Sequence, residues 1–222
     1  MVTRAWMSWS SGKDSTAALA AARRDPDLKV VGLLSTVNAN ADRVAMHAVR
    51  RTLLMAQSHR LGLPLHVVEI PSPCPNEIYE ERMGAAVDVA VNEGVGAFVF
   101  GDLFLEDIRR YRERALASTP VRACFPLWNR PTDELAHEMI ASGIRATLTC
   151  VDLDKLPASF AGRGFDADLL ADLPPDIDPC GERGEFHTFV WDGPGFTSPI
   201  QTTTGERVLR EGFAFCDVFE RP

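Results

Sequence analysis

Short apolar, β-branched runs alternate with helix-like stretches from the N-terminus to about residue 150, and no other feature limits the fold of this chain so strongly. RAWMSW (4–9) reads as a strand ending at a Ser/Gly cluster, and the Ala-rich stretch 14–24 reads as a helix stopped by Asp25 and Pro26. LKVVGLLSTV (28–37) is apolar almost throughout, as a strand buried on both faces should be. Ala45, Val49, Leu53 and Ala56 then recur at helical spacing within 42–61, Gly62 and Pro64 end that helix, and LHVVEI (65–70) is the next strand. Asn76 can cap a helix to about Glu93, AFVF (97–100) follows as a strand, and 105–116 is again helical. A further unit spans 131–151, with Thr132 as N-cap, Asp133 and Glu134 in the first turn, Gly143 at the stop and ATLTCV (146–151) as the strand. Such an order predicts an α/β fold with a parallel, doubly wound sheet.

After about Asp154 prolines and glycines multiply and helical periodicity fades. FHTFVW (186–191) and RVLREGFAFCDVF (207–219) read as antiparallel strands with turns at Gly193 and Gly205. The chain therefore divides into 1–154 and a small C-terminal α+β annex, 155–222. Phe213, Phe215 and Phe219 alternate along the last segment, either as one face of a core strand or as a surface that pairs subunits in a homo-oligomer.

Composition excludes several classes. No apolar stretch approaches the ~18 residues of a membrane span, since AFVFGDLFL (97–105) is broken by Gly101 and Asp102. The N-terminus shows neither an apolar signal core nor a small-residue cleavage site, so the expectation is a cytoplasmic protein. A net charge of −8, from 31 acidic against 23 basic residues, leaves no broad footprint for a nucleic-acid backbone. Arg109, Arg110, Arg112 and Arg114 are interleaved with Glu106, Asp107 and Glu113, which describes a solvated helix face. The 5 cysteines are an odd number without a CxxC pair, which fits neither a disulfide framework nor a zinc ribbon. His137-Glu138 opens an HExxH pattern, but Ala141 occupies the second histidine position.

Between the first strand and the first helix lies Ser10-Ser11-Gly12-Lys13-Asp14-Ser15, where free amides and the helix dipole can hold an anion. Two hydroxyls, a glycine and a lysine suit an oligophosphate. The loop is not a Walker A motif, because Met7 stands at its first glycine position and Asp14 follows Lys13. SSGKDS resembles the PP-loop, SGGxDS, of the ATP pyrophosphatases, which cleave ATP between its α and β phosphates. Ser11 replaces the first glycine of the commonest form, a change that should be tolerated if that residue avoids a positive φ. GDLFLEDIRRYRE (101–113), FPLW (125–128) and DPCGERGEFHTFVWDGP (178–194) extend the likeness to the diphthine–ammonia ligase family, with Arg183 in place of the second glycine of CGEGGE.

That resemblance implies a Rossmann-like, adenine nucleotide alpha hydrolase-like sheet over 1–154 and an acceptor-binding annex. It implies ATP with Mg²⁺, ammonia, and a carboxylate acceptor, the diphthine of a translation elongation factor. The carboxylate would attack the α phosphorus, pyrophosphate would leave, and ammonia would displace AMP. Ser10, Ser11, Gly12, Lys13, Asp14 and Ser15 would hold the phosphates, with Lys13 stabilising the leaving group. Asp14 could hold the metal or stabilise the first helical turn. Gly101 and Asp102 lie at the carboxyl end of a strand, where such sheets place ligands; Asp102 is a nucleotide or metal residue, or an N-cap. Leu33, Ser35 and Thr36 could contact adenine, largely through the backbone.

Cys180, Gly181, Glu182, Glu185 and Thr188 would form the acceptor site. Glu185 and His187 are two apart, which on a strand sets them on one face, to deprotonate ammonium or as a structural hydrogen bond. Cys180 reads as a structural thiol, and His47 and His59 as surface or packing residues in a helix. Two other readings fit: a PP-loop enzyme acting on another protein or small carboxylate, and a non-catalytic adenine-nucleotide sensor.

Overall fold

The computed structural model describes residues 1–44 and 47–221. In chain order the elements are β1 (Thr3–Ser8), α1 (Lys13–Arg24), β2 (Leu28–Asn38), β3 (Arg43–Val44), α2 (Arg51–Leu61), β4 (Leu65–Ile70), α3 (Asn76–Asn92), β5 (Ala97–Val99), α4 (Glu106–Leu116) and β6 (Arg122–Cys124). Then follow α5 (Thr132–Ala141), β7 (Arg145–Asp152), a 3-10 turn at Ala158–Phe160, α6 (Ala167–Asp172), β8 (Phe186–Asp192), β9 (Thr202–Arg210) and β10 (Phe213–Glu220).

The first sheet runs β3-β2-β1-β5-β6, with β4 also on β2; β3 alone is antiparallel. This is the doubly wound, Rossmann-like arrangement that the alternation predicts. From β1 the chain winds first toward β2 and β4 and then back past β1 to β5 and β6, so the order reverses between β1 and β5. At that point the loops after the two strands diverge and leave a crevice, the usual ligand position of such sheets. Alternation along β1 sends Ala5 and Met7 into the larger core cluster and Trp6 into a second cluster with Phe98, Phe100 and Val87 on the opposite face.

The second sheet is antiparallel, in the order β8-β7-β10-β9. Residues 146–151 are a strand, but they join this sheet through β8 and β10 rather than continuing the parallel one. A strand buried along nearly its whole length reads alike in either setting. The place next to β5 is taken by the short β6.

Three local expectations are corrected. The helix expected from 42 begins at Arg51, because Arg43 and Val44 pair with Asn38 and Val37 and the chain turns through left-handed residues at Asp42 and Ala48. Ala45, one of its periodic positions, lies outside the described residues. Gly205 lies inside β9, where a Cβ would stand 2.6 Å from the Phe219 ring; the hairpin turns instead at Glu211 and Gly212, both with positive φ. On β10 the buried face is Ala214, Cys216 and Val218, while Phe213, Phe215 and Phe219 are only half-buried.

Candidate functional site

The SSGKDS loop caps β1 at the reversal point and leads directly into α1. Ser10 Oγ lies 3.2 Å from Ser15 Oγ, and Ser15 Oγ donates to the Gly12 carbonyl at 2.9 Å. Ser11 takes φ 70°, the left-handed region in which a serine in place of glycine is strained; it is fully buried and its Oγ has no partner. Its carbonyl is held by Val190 N–H at 3.0 Å and Gln57 Nε2 at 3.0 Å. Gln57, itself fully buried, also accepts from Trp9 Nε1 at 2.8 Å and donates to the Val190 carbonyl at 2.6 Å. Helix α2 and strand β8 thus brace the loop from behind, which lets a serine hold a glycine's conformation.

A cleft of about 490 Å³ opens in front of the loop. Ser10, Lys13, Asp14 and Ser15 line it from the loop, and Leu34 and Thr36 from β2. Leu33 and Ser35 point to the other side of that strand; Leu33 belongs to the core, and Ser35 is buried with an unpartnered hydroxyl. Gly101 and Asp102 line the opposite wall. A Cβ on Gly101 would stand 2.9 Å from the Asp14 carbonyl carbon and 3.0 Å from Ser15 N, so only glycine lets this loop rest on the first turn of α1. The Asp102 carboxylate faces Arg112 at 3.8 Å, and burial pushes its pKa up against the pull of that arginine.

Lys13 is only 2% exposed. Its backbone N–H donates to Thr188 Oγ1 at 3.1 Å; its ammonium binds both Asp14 oxygens, at 3.0 and 2.9 Å, and the Cys180 carbonyl. Burial opposes its charge most strongly, but the Asp14 carboxylate, Cys180 and Glu182 together outweigh it and hold the pKa above the ordinary lysine value. The lysine therefore fastens the first helical turn to the Asp178–Glu182 turn and β8, and most of its charge is answered by Asp14.

That turn is built on Asp178, whose Oδ1 accepts from Cys180 N and Oδ2 from Glu182 N. Cys180 is buried, its thiol donates to the Thr132 carbonyl at 3.3 Å, and burial pushes its pKa up, as for a structural thiol. Gly181 (φ 66°) and Glu182 line the cleft. Glu182 Oε1 accepts from Leu103 N at 2.7 Å, and burial raises its pKa to about 7. Glu185 precedes β8 and is 1% exposed; one oxygen accepts from Asp178 N at 3.4 Å and the other has no partner. Among the described residues no hydrogen bond joins it to His187, and it does not line the cleft.

His187 and Thr188 do line it, together with His47. The His47 and His187 ring centroids are 4.7 Å apart, and His47 Nδ1 lies 3.1 Å from the Thr188 carbonyl. Sequence reasoning missed His47 and Gln57, since each is an isolated polar residue in a helix-like run. Among the described residues no three His, Cys, Asp or Glu side chains cluster to cage a metal ion, and no helix is long and apolar enough to cross a membrane.

Two family profiles cover almost the whole chain: diphthamide synthase N-terminal domain over residues 3–122 and diphthamide synthase C-terminal domain over residues 131–221. Among curated proteins, diphthine–ammonia ligase of Rattus norvegicus is 27% identical over 193 residues, covering 80% of this chain and 66% of its own length. The Homo sapiens protein of that name is 27% identical over 186 residues, with the same coverages, and the Danio rerio protein 29% over 163, covering 71% of this chain and 64% of its own. The chain thus spans just under two thirds of these relatives' length.

Proposed function

The chain belongs to the diphthamide synthase family, and on that footing we propose that it is an ATP-dependent ligase joining ammonia to the carboxylate of a diphthine side chain on a protein, with release of AMP and pyrophosphate. One observation supports this reading: the SSGKDS loop at the sheet's reversal point faces, across a single cleft, the polar turn that leads into β8 of the second sheet. A nucleotide site and a second chemical site therefore share one volume, whereas a sensor needs only the first.

ATP supplies the activation, since a carboxylate has no good leaving group until it is adenylated. The first-turn amides of α1 and the helix dipole hold the phosphates. Leu34 and Thr36 form the wall available to the adenine. Lys13 keeps the loop and the Asp178–Glu182 turn at a fixed spacing, so that nucleotide and acceptor meet in one geometry. A Mg²⁺ bound mainly by the substrate phosphates would find Asp102 as a carboxylate bordering the cleft, and Asp14 only if it released Lys13. Glu182 faces the cleft and titrates near neutrality, which suits a base that takes a proton from the incoming ammonium. Glu185 stands behind it and braces the turn through Asp178 N.

An acceptor whose diphthine carboxylate is labelled with ¹⁸O tests the reading. Adenylation transfers one labelled oxygen to AMP. Formation of ADP, or of AMP without label, would refute it.

A further inference from the structure

Pyrophosphate departing from a nucleotide needs positive charge, and each of the cleft's two permanent cations already faces a carboxylate, Lys13 at hydrogen-bond distance and Arg112 at 3.8 Å. Lys13 is bound to both Asp14 oxygens and to the Cys180 carbonyl. Arg112 faces Asp102 and lies over the Phe100 ring at 5.1 Å. Among the described cleft residues the cation-capable groups left without a carboxylate partner are His47 and His187.

Their placement is specific. A Cβ on Gly12, in the middle of the phosphate loop, would stand 2.9 Å from His47 Cε1, so the imidazole rests directly on the loop backbone. Because His47 Nδ1 lies 3.1 Å from a carbonyl, it carries the hydrogen in the neutral ring, which leaves Nε2 with a free lone pair. Thr188, which accepts Lys13 N–H through its hydroxyl and holds His47 through its carbonyl, adjoins His187 on β8. Arg43 and Arg50, on either side of His47 in sequence, both bind the Asp217 carboxylate of β10, at 2.8 and 2.6 Å. Arg43 and Arg50 are thereby both anchored to β10.

We infer that His47 and His187 form an imidazole pair that receives the departing pyrophosphate, taking up a proton from solvent as the anion binds. The inference rests on the ligase reading above. The proton adds to a ring nitrogen lone pair, and no bond to phosphorus forms. Burial pushes His47 down to about 4 and His187 to about 3 in the free protein, with Lys13 adding repulsion to both, so the pair is neutral until an anion arrives. The other charged groups bordering the cleft are Lys13 and Asp14 from α1, Asp102 and Arg112 from the opposite wall, and Glu182 from the turn. A neutral pair also avoids repelling Lys13 when the site is empty.

The test is calorimetric titration of the full chain with magnesium pyrophosphate and, separately, AMP, between pH 5 and 7 in two buffers of different ionisation enthalpy. Wild type, His47→Gln and His187→Gln are compared, so that ionisation of pyrophosphate itself is common to all. Wild type should take up at least one proton more than the variants, and its pyrophosphate affinity should fall about tenfold more per pH unit, as uptake of one proton requires. AMP binding should show neither effect. Equal proton uptake in wild type and both variants would overturn the inference. A readout independent of the variants is the imidazole ¹³C–¹H spectrum of the 5 histidines. Two should titrate below about pH 5 in the free protein and move upward with pyrophosphate; no movement would also overturn it. If wild type binds neither AMP nor pyrophosphate, the ligase reading fails first.

Discussion

Replacing Ser11 with glycine should stabilise this protein without weakening its hold on nucleotide. At φ 70° a side chain costs about 1–2 kcal/mol relative to the right-handed regions, and glycine removes that cost. The Ser11 hydroxyl is fully buried without a partner, a situation worth about 1–3 kcal/mol of desolvation penalty. Against these gains stand about 0.5–1 kcal/mol of extra chain entropy for glycine and the loss of the side chain's own packing contacts. A net gain of about 1–2 kcal/mol remains, or about 2–8 °C in melting temperature for a chain of this size. Ser11→Ala separates the terms, because it deletes the hydroxyl but keeps the left-handed cost; it should fall about 0.5–1 kcal/mol below Ser11→Gly. Urea unfolding of the three proteins measures the differences, and ATP titration should give affinities within about twofold, because Ser11 does not line the cleft. A less stable glycine variant, or alanine equal to glycine, would refute the strained-loop argument.

Gly101→Ala forces a Cβ against the backbone at Asp14 and Ser15, and should cost about 1–3 kcal/mol while weakening ATP binding as the wall retreats from the loop; unchanged nucleotide affinity would count against that contact. Gln57→Leu strands the Trp9 indole N–H and one Val190 carbonyl bond, for an expected loss of about 3 kcal/mol in urea unfolding. On the proposal that Glu182 is the base, which it can be only when ionised, ammonium-dependent kcat/KM should rise with pH through a midpoint of about 7, and Glu182→Gln should abolish that limb of the profile. Two arginines hold the Asp217 pKa down to about 2, although burial opposes them; its stabilisation is complete above the unfolded carboxylate range and is lost as pH falls through about 2. Asp217→Asn should therefore cost about 1.5–3 kcal/mol at neutral pH and flatten stability over that acid range, as followed by thermal melts.

Local chemistry made much of this fold legible. Alanine spacing and the Asp25-Pro26 stop define α1, and the apolar run 28–37 defines β2, since helix and strand periods are written into neighbouring residues. The strand, loop and helix around 10–15 were legible for the same reason: strand, Ser/Gly cluster and helix are contiguous. Contacts made at a distance were not. Arg43 and Arg50 are drawn to Asp217 more than 160 positions away, and that tie accompanies a non-helical path that no local count reveals. Strand β7 carries no mark of its partners, because burial on both faces erases the alternation that would show them. Glu182 and Glu185 differ by three positions in one polar turn, yet Leu103 N draws the first to the cleft and Asp178 N holds the second behind it. Gly205 suggests a turn by residue type, but it serves to seat Phe219.

The proposed activity is ligation driven by cleavage of ATP to AMP. It is tested most directly by mixing the protein with Mg-ATP, ammonium and a diphthine-bearing elongation factor, then following AMP by chromatography and the acceptor by mass spectrometry. AMP and pyrophosphate should form only when all components are present, with the acceptor about one dalton lighter as a hydroxyl gives way to an amino group. AMP formed without ammonium and acceptor, or an acceptor of unchanged mass despite nucleotide binding, would contradict it.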